Sequence, residues 1–233
     1  MTEALVQARP LAAPPRVQPL AEVVELLPPV PRLRGVSHEK AFAFSPALGV
    51  LLVASADGPL AVAAAVVFAV TMIAMLGASA LNHRAVRAPH WDPWLRRLDH
   101  TTINLFLAGT WTSVALVLLS GTTRIAVAAL VWAGALAASS VTVLWVRVPG
   151  WIPATAACAL GWSAAIPLGE LVHSVGAAAV SLFVLGGLVY TLGAVVYALR
   201  RPRLHSDFGY HELFHALVLV GVACHYAALA LLV

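Results

Sequence analysis

What most limits the folds open to this chain is a succession of apolar runs, each close to the ~20 residues that a helix needs to cross ~30 Å of hydrocarbon. Seven such runs can be counted between polar or Pro/Gly punctuation, at 39–56, 60–83, 101–120, 124–147, 151–171, 175–199 and 211–232. The expected fold is therefore all-α, a bundle of seven transmembrane helices. Composition agrees, since 61% of the 233 residues are apolar, only 10% are charged and the mean hydropathy is +0.90, against roughly 25% charged residues in soluble domains. Pro46 interrupts the first run, and Pro153 and Pro167 fall in the fifth; neighbouring helices can absorb such breaks. Gly121-Thr122-Thr123 is expected as the tight turn between the third and fourth runs.

Several function classes drop out. Disordered segments are rich in charge and poor in apolar residues, the reverse of this chain. The two cysteines, Cys158 and Cys224, lie inside apolar runs, where a free thiol behaves as a small hydrophobe, so neither a disulfide scaffold nor a cysteine-type zinc site is expected. The net charge of +4 comes from scattered basic residues without a basic amphipathic helix, which argues against a nucleic-acid partner. Residues 1–36 are Pro-rich and hold no apolar core of the kind a signal peptide needs. They read as a flexible cytosolic tail ahead of a membrane domain at 37–233. Cytoplasmic loops collect Lys and Arg. With seven spans and the N-terminus inside, thirteen of the fourteen basic residues fall on the cytoplasmic side, and only Arg124 lies outside. This predicts a cytoplasmic N-terminus and an outer C-terminus, and the short loops and Ala/Val/Arg bias point to a bacterial inner (plasma) membrane protein.

Ionisable residues at membrane depth are costly, so each is a functional candidate. The last run opens with His211-Glu212-Leu213-Phe214-His215. Residues four apart share a helix face, so His211 and His215 can offer two imidazole nitrogens to one metal. Catalytic zinc takes three protein ligands and a water, and His83, at the end of the second run, reaches the same leaflet under this topology. Ser79 lies one turn before His83, and Asp99 stands at the cytoplasmic start of the third run. Five polar side chains from three helices thus meet at one depth, in a topology derived from Lys and Arg alone. His-Glu-x-x-His also matches the zinc protease signature, in which the Glu is the general base; Glu212 can equally be an acid at a helix N-terminus. His225 lies about 21 Å along the helix from His211 at 1.5 Å per residue, too far to share that metal. His38, His90, His100, His205 and the pair Glu170 and His173 read as solvated, and Trp91, Trp94 and Trp151 fit an interfacial aromatic belt.

The combination Ser79-Ala80-Leu81-Asn82-His83, then Leu98-Asp99-His100 with Ala108-Gly109-Thr110, and His211-Glu212-Leu213-Phe214-His215 resembles the hemolysin III family. That family is part of the progestin and adipoQ receptor superfamily, which includes the adiponectin receptors. Arg34-Gly35-Val36-Ser37-His38-Glu39 and Gly186 through Tyr190, with Gly193 and Tyr197, agree with it, and the resemblance covers roughly 32–230. It implies a seven-helix bundle with the N-terminus inside and a zinc held by His83, His211 and His215, with Asp99 and Ser79 beside the zinc and its water. It also implies kinship with membrane hydrolases of lipid amides. One departure stands out: the family continues Gly-Thr-Tyr-Thr-Pro in the third helix, whereas here the run is Gly109-Thr110-Trp111-Thr112-Ser113, without the proline.

These readings lead to an expected zinc-dependent membrane hydrolase acting on an amide or ester of a membrane lipid. Asp99 would accept and return the proton, and Ser79 would hydrogen-bond the water or the developing oxyanion. The alternative is a membrane sensor, receptor or channel regulator in which zinc is structural. A pore-forming lysin is disfavoured because no polar helix face is left to line a channel. An intramembrane protease is disfavoured because no acidic ligand follows Glu212.

Overall fold

The apolar runs fold as helices throughout. The computed structural model describes residues 31–84, 92–145, 148–163, 176–202 and 204–233. Among them stand seven helices and no strand: α1 (Val36–Ser55), α2 (Pro59–Arg84), α3 (Asp92–Leu118), α4 (Gly121–Leu144), α5 (Trp151–Ser163), α6 (Ala177–Leu199) and α7 (Tyr210–Ala230). Five of these, α2, α3, α4, α6 and α7, are long and apolar enough to cross a membrane. The opening turn of α1 carries His38, Glu39 and Lys40, and the described part of α5 spans only 13 residues. Pro167, His90, Trp91, Glu170, His173 and residues 1–30 lie outside the described residues.

Each helix packs on its neighbour in chain order, and α1 meets α7 to close the ring, with α3 also reaching α5 and α7. The main core is drawn from α1, α2, α3 and α7, with Leu52, Phe68, Met72, Met75, Phe106, Val218 and Val222 interlocked. The outer surface is apolar as well. On α4 the buried residues Val131, Ala135, Ser139 and Thr142 form one stripe, while Ile125, Leu130, Leu136, Val141 and Leu144 are exposed. A water-soluble helix shows the opposite arrangement, polar outside and apolar inside. Contiguous apolar exposure of this kind is what lipid solvates.

Many hydroxyls inside the helices are satisfied by their own backbone, as a medium without water favours. Thr71, Thr110, Thr112 and Thr191 each donate to the carbonyl four residues back. Pro46 does not break α1. A proline has no N–H to give the carbonyl four residues earlier, here Phe42, and the Ser45 hydroxyl donates to that oxygen instead, at 2.8 Å. The third helix starts at Asp92, well before its apolar run, because Pro93 in the first turn needs no amide partner and has the right φ for a helix start. Asp99 consequently sits two turns inside α3 rather than at its start. The turn between α3 and α4 is Leu119-Ser120, and Gly121 already opens α4 with φ 55°.

α3 runs unbroken through Ser113, the position where the resembled family carries proline. The Ser113 hydroxyl donates both to Gly109 O in its own helix, at 2.9 Å, and to Ala64 O on α2, at 2.8 Å. Ser113 thus ties α3 to α2.

Candidate metal centre

The beginning of α1, the end of α2, the first turns of α3 and the beginning of α7 meet at one end of the bundle. His83, on the last turn of α2, and His211, on the first turn of α7, place their Nε2 atoms 3.2 Å apart. His215, one turn further along α7, joins them, and one ring nitrogen from each of the three lies within 4.8 Å of the others. Three nitrogens at ~2.0–2.1 Å from a tetrahedral zinc would stand roughly 3.4 Å from one another. One edge of the triangle, at 3.2 Å, is close to that length, and the others are no longer than 4.8 Å. His215 is 2% exposed and its Nδ1 has no hydrogen-bond partner among the described residues, a state in which few buried ring nitrogens are left. The donor set therefore suits a borderline metal such as zinc.

Asp99, 6% exposed, brings Oδ2 to 3.4 Å from His83 Nε2. The same oxygen accepts a hydrogen bond from Asn82 Nδ2 at 2.8 Å, so the residue before the histidine aims the carboxylate beside it. Ser79 is buried one turn earlier on α2, and its Oγ lies 2.8 Å from His38 Nδ1. All five residues expected from the sequence thus gather at one end of the bundle.

His38 corrects the expectation of a solvated side chain. It is 3% exposed and its ring stacks on that of His215 with centroids 4.0 Å apart and planes 8° from parallel. The polar run Ser37-His38-Glu39-Lys40 suggested an exposed loop, but α1 already begins at Val36. On that helix His38 shares its buried face with Ser45, Gly49 and Leu52, and this periodicity was the signal that could have found it. His100 also departs from the solvated reading, since it lines an internal cavity and meets Tyr197 edge-on at 6.4 Å. His205 is exposed as expected.

Gly35 makes the cluster possible. It caps α1 with φ 76°, a left-handed conformation that suits glycine, and a Cβ there would collide with His83 Cβ.

Glu212 resolves in favour of the helix-terminal acid. Its Oε2 accepts the N–H of Gly209 at 2.8 Å, closing the first turn of α7. Its Oε1 pairs with Arg34 Nε at 2.5 Å. With both oxygens engaged and the residue buried at 3% exposure, Glu212 ties the segment before α1 to the start of α7. Arg34 and Asn82, both within motifs noted in the sequence, are the supporting residues to which the sequence reading gave no role.

Below the histidines runs a cavity between α3, α5, α6 and α7. His38, Ser79, Asp99, His211 and His215 line one part of it, and His225 lines another. His211 and His225 are separated by about 21 Å along the helix. Most of the intervening wall is apolar, with Phe106, Leu107, Trp111 and Val218 among its residues.

Comparisons with known proteins give the family of the chain. The family described as Haemolysin-III related matches residues 29–226. A relative named Hemolysin-3 homolog, from Bacillus subtilis (strain 168), is 29% identical over 157 residues, covering 67% of this chain and 71% of the relative. Another, Hemolysin-3 from Bacillus cereus, is 29% identical over 182 residues, covering 76% of this chain and 80% of the relative.

Proposed function

The chain belongs to the haemolysin III-related family, and on that premise we propose a seven-span, zinc-dependent membrane hydrolase of a lipid amide or ester, with its N-terminus in the cytoplasm. His83, His211 and His215 hold the zinc, and the membrane is the bacterial inner membrane. The observation that carries this reading is the meeting of three histidine nitrogens with a buried carboxylate at a largely apolar cavity.

Zinc, when bound, supplies a Lewis acid that acidifies water and polarises a carbonyl. The protein supplies the rest. Asp99, held by Asn82 and next to His83, would take a proton from the attacking water and return it to the leaving group. Its Oδ2 faces His83 and it does not join the three-nitrogen set, which fits proton handling better than ligation. With His38 Nδ1–H donating to Ser79 Oγ, the Ser79 hydroxyl would keep its own hydrogen for the polarised oxygen. The cavity receives an acyl chain and keeps bulk water away from the reacting bond, and a scissile group near the cytoplasmic headgroups would come to rest by the histidines.

The test is turnover of fluorescent lipid amides and esters by zinc-loaded protein in nanodiscs, compared with Asp99→Asn. The expected result is cleavage by the wild type and a loss of roughly 10²-fold or more in the variant, with the metal retained. Equal rates in the two proteins would remove Asp99 from the chemistry, and a zinc-loaded wild type inert toward every substrate would contradict the hydrolase.

A further inference from the structure

Away from the histidine cluster, two polar groups stand in the cavity wall without a partner among the described residues. Tyr190 on α6 and His225 on α7 both line the cavity, and their rings meet edge to face with centroids 5.1 Å apart. The Tyr190 hydroxyl and His225 Nδ1 are each buried without a hydrogen-bond partner among the described residues. Two orphaned polar atoms on touching rings are rare in a folded interior, and rarer in a setting from which water is excluded.

The backbone has been thinned to hold both rings in place. A Cβ at Gly186 would strike the His225 ring, and a Cβ at Gly221 would strike the Tyr190 ring. Each helix gives up a side chain to seat the ring carried by the other. Filling space alone would not call for a phenol and an imidazole, since phenylalanine and leucine fill the same volumes without polar atoms.

The tautomer of His225 is set by its other nitrogen. Nε2 lies 3.2 Å from the carbonyl oxygen of Phe183, and a carbonyl can only accept, so Nε2 carries the hydrogen. In the neutral ring Nδ1 is then a bare acceptor. The Tyr190 hydroxyl can donate. A group that satisfies both must donate to Nδ1 and can accept from the phenol, which an alcohol does; a ketone, ether or alkene has no hydrogen to donate.

We propose that Tyr190 and His225 form a subsite that reads a hydroxyl group carried part-way along a lipid chain, remote from the reacting end. Gly221 and His225 follow His215 by six and ten residues, which places the subsite about 9 to 15 Å along α7 from the metal centre. The proposal deepens the lipid reading given above and rests on the cavity admitting a lipid chain. Its ligands are long-chain lipids with an in-chain hydroxyl.

The test is equilibrium binding to the full-length protein in detergent. The probes are stearic acid, a positional series of monohydroxystearic acids, and the matching oxo acids, each measured by displacement of a fluorescent fatty acid. Stearic acid should bind, one hydroxy isomer should bind about tenfold tighter, and its oxo counterpart should gain less. Tyr190→Phe removes a single oxygen and keeps the ring on Gly221. His225→Gln keeps a donor for Phe183 and removes the bare acceptor. Both should bring the favoured isomer back to the level of stearic acid without altering metal content. Stearic acid bound as tightly as every hydroxy isomer would overturn the subsite and leave the lipid cavity standing, whereas failure of all the acids to bind would overturn both.

Discussion

A single carboxylate separates two accounts of the motif at the start of α7. If Glu212 were the general base of a zinc protease, Glu212→Gln would abolish chemistry and leave stability alone. In this structure its oxygens are held by Arg34 and by the Gly209 N–H, so the expected outcome is the opposite. Glu212→Gln retains its metal, and its activity toward any substrate found falls less than tenfold. Arg34→Ala, which leaves a buried carboxylate without its cation, costs about 2 kcal/mol in thermal or denaturant unfolding, a figure reduced because Arg34 is 24% exposed. The spacing of His211 and His215, and the depth shared with His83, Ser79 and Asp99, were legible because a helix repeat and the bias of Lys and Arg fix them. His38 was not, because its neighbours in sequence are polar and its burial follows from α1 starting before the apolar run. Asn82 was in plain view beside His83, but nothing in a linear pattern shows that it would reach across to α3.

At the scale of the helix, the positions of the seven elements were readable and their ends were not. Apolar runs record where lipid begins, whereas a helix stops where its backbone loses partners. α3 starts well before its apolar run because Pro93 opens it, and α1 survives Pro46 because Ser45 replaces the lost amide donor. That replacement can be measured. Ser45→Ala should destabilise the protein by about 1 kcal/mol, since Phe42 O is left without a donor. The same substitution in a Pro46→Ala background, where the amide is restored, should cost markedly less. Unfolding of the four proteins of this double-mutant cycle checks the account, and equal costs in both backgrounds would contradict it.

The described helices form a ring that gathers the buried His38, Asp99, Glu212 and His215 at one end, with His225 set apart, beside a largely apolar cavity. The direction proposed for it in the membrane rests on the bias of Lys and Arg, and intact cells can test it. In a background with Cys158 and Cys224 replaced by alanine, Arg124→Cys should react with a membrane-impermeant maleimide added outside, and Arg201→Cys only after permeabilisation. The reverse pattern would invert the bundle. The central claim, however, is that helices separated by more than a hundred residues of chain build one metal centre. Elemental analysis of protein purified without chelator measures this directly, on the wild type, His83→Ala and His211→Ala. The account predicts about one zinc per chain in the wild type and loss of the metal in both variants. A wild type free of zinc, or a His83→Ala protein that keeps it, would contradict the account.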